Sequence, residues 1–250
     1  MNKKVISVYK SLLRAYPQLA FPIYAEYTYN FTDHKNELHI IHHLCKKEKI
    51  SIDIGANIGL HSYFMQKHSK KCFSFEPQEK LYQHLIKIFP KTQVFCYALS
   101  SKEGTAMLYV PQISGIEDHE SATIESSNLV ESNTIFFENE IRLKTLDSYC
   151  FNDVGFIKID CEGHEMEVII GGINTIEKNL PNLMIEIEEK HKRGNLLAIY
   201  EVLANFNYNI FYYSKNSLHK LNFNQIKILA SQDNTINGCF INNFIFKCGK

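Results

Sequence analysis

Short apolar runs alternate along the chain with longer segments in which apolar residues recur every three or four positions. The short runs are ISIDI, KCFSF, TQVFCYALS, GFIKID, NLMIEIEE, YNIFYY and CFINNFIFKC. The longer segments are LHSYFMQKHS, QEKLYQHLIKIF, HEMEVIIGGINTIEKN and NLLAIYEVLANF. The first pattern is typical of buried strands and the second of amphipathic helices. Their alternation predicts an α/β fold with a doubly wound, mostly parallel sheet that has helices on both faces.

Two regions fall outside this alternation. Residues 1–45 are predicted to form an N-terminal helical extension, in which Val5, Val8 and Leu12 share one helical face, and residues 46–250 to form one domain. A polar stretch from Gln112 to Asn133 separates two further strand-like runs, GTAMLYV and NTIFFENEIRL. Such a long loop either contacts a ligand or is a plain surface loop.

Composition restricts the possible partners. The 250 residues contain 27 basic and 27 acidic side chains, so the total charge does not indicate a nucleic-acid partner. Seven cysteines without a CxxC pair are typical of reduced thiols rather than of disulfides or a zinc site. No apolar run approaches the roughly 20 residues that span a bilayer. The sequence therefore predicts a cytoplasmic protein without a transmembrane segment or bound nucleic acid, and leaves its oligomeric state open.

A glycine-rich turn, DIGANIG, follows the first predicted strand at residues 53–59. Gly55 permits a sharp turn, Asn57 tolerates a left-handed backbone, and Gly59 would let a ligand approach the next helix. The turn has neither the lysine of a phosphate-binding loop nor the GxGxxG spacing of a dinucleotide fold. It indicates either a ligand site of another kind or a tight structural turn.

Glu76 ends the second predicted strand, 23 residues after Asp53. An acid at this position can accept hydrogen bonds from the hydroxyls of a ribose. The glycine-rich turn and this acid together predict a nucleoside cofactor. From these residues alone, the cofactor is either a nicotinamide dinucleotide or S-adenosylmethionine.

The segment FIKIDCEGHEMEVIIGG, residues 156–172, places Asp160, Glu162 and His164 where a strand ends and a helix begins. Acids are common at a helix N-terminus because they complement the helix dipole. The same side chains are those that general acid–base catalysis requires. Lys158, inside an otherwise apolar strand, is expected to reach an acid or the surface.

The neighbouring polar residues are assigned smaller roles. Only one of Glu186 and Glu188 can face the same cleft, because side chains alternate along a strand. Glu165 and Glu167 are interpreted as surface acids, and His191 as an ordinary histidine. An acid–acid–histidine cluster also suits magnesium, manganese or calcium, but the spacing does not require an ion and no metal site is predicted.

The chain resembles the FkbM-type methyltransferases, which have the class I, Rossmann-like fold and use S-adenosylmethionine. The resemblance rests on five motifs in the family's order: SIDIGANIGLHS, FSFEP, YALSSKEG, LKTLDSY and FIKIDCEGHEMEVIIGG. It covers roughly residues 51–189, and the last motif is the most distinctive. It implies O-methylation of a sugar, a glycan or a glycosylated metabolite, by in-line methyl transfer with the help of a base.

The resemblance also implies individual site residues. Those expected to bind the cofactor are Asp53, Gly55, Ala56, Asn57, Gly59, His61, Ser62, Glu76, Pro77, Ala98 and Leu99. Those expected to take part in catalysis are Asp160, Glu162, His164 and Glu186. Two other functions stay open at this point: an NAD-dependent oxidoreductase, and a non-catalytic adenosine-binding module of the same fold.

Overall fold

A central eight-stranded sheet organises the fold in the computed structural model, which describes residues 15–32, 35–113, 115–119, 121–125, 135–236 and 238–249. The strands are β1 (Ile50–Ile54), β2 (Lys71–Phe75), β3 (Gln93–Phe95), β4 (Ala98–Leu99), β5 (Gly104–Ile113), β6 (Ile116–Glu117), β7 (Ile135–Lys144), β8 (Val154–Ile159), β9 (Asn182–Glu186), β10 (Tyr208–Ser214), β11 (Ser217–Lys220), β12 (Thr235–Ile236), β13 (Cys239–Phe240) and β14 (Asn243–Cys248). The α-helices are α1 (Pro17–Phe31), α2 (Lys35–Leu44), α3 (Leu60–His68), α4 (Glu79–Ile88), α5 (Glu165–Gly171), α6 (Ile173–Asn179), α7 (Asn195–Ala204) and α8 (Phe223–Ser231).

The strand order of the large sheet is β11-β10-β14-β9-β8-β1-β2-β3. Strands β3, β2, β1, β8 and β9 are parallel, while β14 runs antiparallel between β9 and β10. The predicted α/β fold with a mostly parallel sheet is thereby confirmed. After β1 the chain continues to β2, which lies on one side of β1. Strand β8 lies on the other side of β1, so the topological switch point is between β1 and β8.

Alternation along the strands divides the core into two layers. Ile52, Ile54 and Ile157 are fully buried on the face covered by α5 to α8. Phe156 and Met184 belong to the opposite layer, beneath α1 to α4. Because both faces are covered, the central strands carry almost continuous apolar sequence, which is why they could be recognised.

A smaller sheet, of order β4-β7-β5-β6, lies beside the main one and contains the two extra strands that the sequence predicts. Strands β5 and β7 form a long antiparallel hairpin from the Gly104–Leu143 pair to the Gln112–Ile135 pair. Thr123 pairs with Tyr109 through an isolated bridge, so part of the polar stretch is attached to this hairpin.

The structure differs from the sequence prediction in several elements. The predicted helix over residues 164–179 is two helices, which meet at Gly172. Consecutive glycines weaken a helix, and an added Cβ at Gly171 would lie 2.0 Å from the Ser100 carbonyl oxygen. Strand β11 and helix α8 were not predicted, and CFINNFIFKC contains two strands rather than one.

The N-terminal extension is described only in part. Helices α1 and α2 occupy residues 17–31 and 35–44, and the apolar pattern of residues 5–12 lies outside the described residues. The boundary between an extension and a domain at residue 45 stays a prediction. Of the helices that the structure describes, none has both the length and the apolar character to cross a bilayer.

A row of polar side chains lies buried on the face beneath α3. Lys158 pairs in register with Asp53 on the adjacent strand and is 1% exposed. Its Nζ lies 2.6 Å from Asp160 Oδ2. Although burial alone would lower it, the charges of Asp160 and Asp53 raise the pKa of Lys158 above its usual value. One buried ammonium therefore connects the two central strands at the switch point.

We expect Lys158→Met to lower the free energy of unfolding by about 3–5 kcal/mol, because the buried carboxylate of Asp53 and the half-buried carboxylate of Asp160 would lose their cation. Urea denaturation at neutral pH measures this change. The matched control is Lys144→Met, which removes an exposed ion pair with Glu103 of 2.9 Å and should cost about 1 kcal/mol or less. Equal effects of the two substitutions would contradict a central role for Lys158.

Candidate functional site

A cleft opens at the carboxyl ends of β1, β2 and β8, between the main sheet and the smaller one. It has about 620 Å³ of empty space, open solvent included. Nine of the residues predicted for the site line it: Gly55, Asn57, Glu76, Pro77, Ala98, Leu99, Asp160, Glu162 and His164. The strand-end position is where open parallel sheets bind ligands.

The glycine-rich turn has the backbone that its sequence indicates. Gly55 has a φ of +76° and Asn57 a φ of +50°, both in the left-handed region. A Cβ at Gly55 would lie 1.9 Å from the carbonyl oxygen of Asp160. The turn after β1 therefore touches the end of β8, and a side chain at residue 55 would separate them.

Glu76 is 3% exposed at the end of β2 and faces the same turn. Its two carboxylate oxygens accept hydrogen bonds from the backbone N–H groups of Asn57 (2.8 Å) and Gln78 (2.9 Å). Burial raises the pKa of Glu76 to about 7, against the effect of these two hydrogen bonds. The remaining acceptor capacity of the carboxylate is available to a hydroxyl-bearing ligand.

Several residues predicted for the cofactor site lie behind the cleft rather than on it. Ser62 is buried and donates to Asp53 Oδ2 at 2.5 Å. Burial raises the pKa of Asp53 despite the nearby charge of Lys158. Ala56 is also buried, and its N–H donates to the Phe75 carbonyl at 3.0 Å. These side chains support the turn from beneath.

Gly59 and His61 also point away from the cleft. A Cβ at Gly59 would lie 2.5 Å from the ring of Phe89 and 2.6 Å from Leu85, so this glycine lets α3 pack against α4. His61 Nε2 lies 3.9 Å from Glu37 Oε2 of helix α2. From the sequence, Gly59 was expected to let a ligand approach the helix. In the structure, the space beside Gly59 is filled by Phe89 and Leu85.

Glu162 joins an ion-pair network that the sequence did not predict. Its Oε2 lies 2.9 Å from His191 Nε2, and Glu188 Oε2 lies 3.5 Å from the same nitrogen. Burial would lower the pKa of His191, but hydrogen bonds to Glu162 and Glu188 raise it to about 9. Hydrogen bonding to His191 and the contact with Lys190 lower the pKa of Glu188 to about 2, against its burial. His191 is therefore a charged residue of the site.

His164 is 8% exposed, and both of its ring nitrogens have partners. Its Nδ1 lies 2.6 Å from Glu125 Oε1, and its Nε2 lies 3.0 Å from Ser100 Oγ. The His164 hydrogen bond lowers the pKa of Glu125 in spite of partial burial. The ring thus connects β4, the polar stretch and α5.

Glu186, at the end of β9, does not line the cleft but lies on the side of β8 away from β1. Its Oε1 accepts a hydrogen bond of 2.7 Å from Asn242 Nδ2. Burial, followed by the negative charge of Asp160, raises the pKa of Glu186 to about 9. The carboxyl group therefore keeps its proton at neutral pH.

Glu165 corrects the interpretation of a surface acid. It is 2% exposed, and its oxygens accept hydrogen bonds from the Gly163 N–H (2.8 Å) and from Asn195 Nδ2 (2.9 Å). Burial raises its pKa to about 7. Its role is to join the start of α5 to the start of α7.

Sequence reasoning missed three polar residues on the cleft wall or gave them little weight. Gln78 and Tyr97 line the cleft and had no motif signal, whereas His119 belongs to the predicted polar stretch. His119 Nδ1 lies 2.6 Å from Gln78 Oε1, and Gln78 Nε2 donates to the His119 carbonyl at 3.1 Å. This pair joins the polar stretch to the segment before α4.

A second groove lies beside the end of β10 and the start of β14. It has about 1060 Å³ of empty space, open solvent included. We call it the tyrosine groove. It is lined by Glu37, Tyr212, Tyr213, Ser214, Lys215, His219, Ile236, Cys239, Phe240, Ile241, Asn242 and Asn243. The rings of Tyr212 and His219 stack with centroids 5.0 Å apart. Asn242 belongs both to this groove and to the hydrogen bond with Glu186.

Comparison with known proteins gives the family. The family model described as "Methyltransferase FkbM domain" matches residues 53–210, which include every predicted catalytic residue. A search of curated proteins found no match.

Several solved structures are similar to this chain. A methyltransferase FkbM from Methylobacillus flagellatus KT is 14% identical with a TM-score of 0.50, and the match covers 98% of this chain and 59% of that one. An rRNA methylase from Streptococcus thermophilus is 14% identical with a TM-score of 0.45, covering 85% and 95%. A precorrin-6y C5,15-methyltransferase from Geobacter metallireducens GS-15 is 9% identical with a TM-score of 0.43, covering 88% and 90%. The chain thus spans about three fifths of the length of the first of these structures.

We expect Glu186→Gln to remove one source of pH dependence in stability. The folded-state pKa is raised from 4.5 to about 9, so the contribution of Glu186 is fully present below pH 4.5 and is lost as pH rises toward 9. Urea denaturation between pH 5 and pH 9 should show the variant gaining on the wild type as pH rises. Glu201→Gln, an exposed acid on α7, is the control. A constant difference across this range would mean that Glu186 is already ionised at neutral pH.

Proposed function

Because the chain belongs to the FkbM methyltransferase family, we propose that it transfers a methyl group from S-adenosylmethionine to a hydroxyl oxygen of a sugar or glycosylated metabolite. The observation that carries this proposal is the cleft at the switch point, where the glycine-rich turn, Glu76 and Asp160 meet. Membership of this family also favours methyl transfer over the nicotinamide chemistry that the sequence motifs left open.

The cleft has the donor and acceptor groups that an adenosine cofactor requires. Glu76 offers a carboxylate to the ribose hydroxyls, and Gly55 and Asn57 line the cleft beside it, where we assign the methionine part. Apolar side chains, Phe75 and Leu99 among them, line the part of the cleft assigned to the adenine. S-adenosylmethionine fits this set of residues and, when bound, supplies an electrophilic methyl group.

Asp160 is the residue we assign as proton acceptor. It lines the cleft, and its ion pair with Lys158 orients the carboxylate. In the reaction, the acceptor oxygen forms a bond to the methyl carbon while the carbon–sulfur bond breaks, and the hydroxyl proton passes to Asp160. Glu186 is less suited to this role because it keeps its own proton at neutral pH.

Alignment of the acceptor is the second contribution of the chain. Good orientation of the reactants lowers the activation barrier by up to about 7–11 kcal/mol. A general base usually raises the rate by about 10²–10⁴-fold, which corresponds to a smaller reduction of the barrier. The tyrosine groove shares no lining residue with the cleft, but its aromatic rings and amides are of the kind that pack on the CH faces of a sugar and bind its hydroxyls. Asn242 connects this groove to Glu186 and, at 3.3 Å, to Glu188.

We expect Glu76→Gln to raise the dissociation constant of S-adenosylhomocysteine by about tenfold or more, because a hydrogen bond to a charged group contributes about 1.5–3 kcal/mol. Isothermal titration calorimetry measures the change. Glu79→Gln is the matched control, since Glu79 is an exposed acid three positions later. Unchanged affinity in Glu76→Gln would exclude the carboxylate from the cofactor site.

The acceptor class is tested with S-adenosylmethionine that carries a tritiated methyl group. The wild type and Asp160→Asn are incubated with carbohydrate, RNA and protein fractions of a cell extract. We expect label in the carbohydrate fraction and a rate 10²–10⁴-fold lower for Asp160→Asn. The affinity of that variant for S-adenosylhomocysteine and its thermal midpoint serve as controls of binding and folding.

The other outcomes are equally informative. If ribonuclease releases the tritiated methyl group, the acceptor is RNA rather than a sugar. If the label is found in protein, the acceptor is a polypeptide. Wild-type rates in Asp160→Asn would remove Asp160 as the proton acceptor. No label in any fraction, together with no binding of S-adenosylhomocysteine, would overturn methyl transfer itself.

A further inference from the structure

Three potential metal ligands converge beside the cleft, from two separate segments of the chain. They are His164 Nδ1, Glu125 Oε1 and Glu167 Oε2, and all three atoms lie within 4.8 Å of one another. The Nδ1 atom is 2.6 Å from Glu125 Oε1 and 3.9 Å from Glu167 Oε2. Glu125 is 39 residues away from His164 in the sequence, so spacing alone did not indicate this group.

The second nitrogen of His164 is held by Ser100. The Nε2 atom lies 3.0 Å from Ser100 Oγ, and Ser100 is 3% exposed. Histidines that bind metals almost always donate their other ring N–H to a fixed acceptor, which sets the tautomer and the ring orientation. In the structure Nδ1–H donates to Glu125; a bound ion would replace this proton, select the tautomer in which Nε2 donates to Ser100, and take the lone pair of Nδ1.

Glu167 supplies an independent indication of a cation. Its Oε2 atom is buried and has no hydrogen-bond partner among the described residues, although it points toward His164. Its other oxygen, Oε1, is 3.2 Å from Lys192 Nζ. A buried carboxylate oxygen without a hydrogen bond is costly, and a cation between it and His164 would remove that cost.

Glu125 is held in position by the residues around it. Its N–H donates to Thr123 Oγ1 at 3.1 Å, and the same hydroxyl donates to the Glu162 carbonyl at 2.8 Å. Thr123 is also bridged to Tyr109 of strand β5. The carboxylate is therefore attached to the small sheet and to the start of α5.

From this geometry we propose that Glu125, His164 and Glu167 bind a divalent first-row transition-metal ion. Two carboxylate oxygens with one imidazole nitrogen suit manganese, and the imidazole favours a transition-metal ion over magnesium or calcium, whose ligands are mostly oxygen atoms. The two carboxylates balance the charge of the ion. The proposal goes beyond methyl transfer: it concerns residues other than Glu76 and Asp160, and ion binding is measured without cofactor or acceptor.

The test is a titration of chelator-treated protein with Mn²⁺, followed by the loss of the free-ion signal in electron paramagnetic resonance. We expect one saturable ion per chain in the wild type. His164→Ala should abolish this binding, Glu167→Gln should weaken it at least tenfold, and Ser100→Ala should weaken it 10–100-fold. Glu177→Gln, an exposed acid on α6, should bind as the wild type does.

A second control concerns another group of imidazoles. His42 and His43 on α2 have ring centroids 3.7 Å apart, and His68 is 6.0 Å from His42. The double variant His42→Gln/His43→Gln should keep the Mn²⁺ site intact. Loss of Mn²⁺ binding in this variant would show that His42 and His43 hold the ion and would overturn the proposal.

Two results would overturn the proposal directly. One is a wild type that shows no saturable Mn²⁺ binding, in which case His164 and Glu125 form a plain hydrogen bond. The other is undiminished binding in Glu167→Gln, which settles the question even if His164→Ala fails to fold. Thermal midpoints of all variants separate loss of binding from loss of structure. Binding of S-adenosylhomocysteine by the same samples reports on the methyltransferase proposal separately.

Discussion

The buried ammonium of Lys158 is the constraint on which the centre of this molecule depends. It lies between the carboxylates of Asp53 and Asp160, on the two strands that flank the switch point. Asp53 in turn binds Ser62 at the first turn of α3. One charge therefore positions the helix that follows the glycine-rich turn and the acid that faces the cleft. A buried ion pair adds little net stability, but removal of one partner is costly, so these residues depend on one another.

The acids at the strand ends are distinguished by their partners rather than by residue type. Asp160 is paired with a lysine, Glu162 with His191, and Glu186 with an amide. The three carboxyl groups consequently differ in the side chains that hold them in place. A cluster of acids that looks uniform in sequence therefore has a different environment at each carboxyl group.

Local patterns predicted much of the fold and part of the site. Apolar runs identified the central strands because both faces of the sheet are covered, and the glycine-rich turn was recognisable because its backbone requires Gly55. Partners from distant segments were not predictable: Glu165 was interpreted as a surface acid because its partner Asn195 lies 30 residues away. The packing around Gly59 was not predictable for a related reason. Its constraint comes from Phe89, on a neighbouring helix end.

Strand β14 has a consequence for how the chain folds during synthesis. It lies between β9 and β10 in the sheet, yet it follows both in the sequence. A nascent chain on the ribosome therefore exposes β9 as an unpaired edge until residues 243–248 have emerged, and exposed edges are prone to wrong pairing. Asn242, which precedes β14, reaches Glu186 at the same stage. When β14 enters the sheet, it also brings Asn242 to Glu186. The polar surroundings of Glu186 are therefore complete only after β14 has docked.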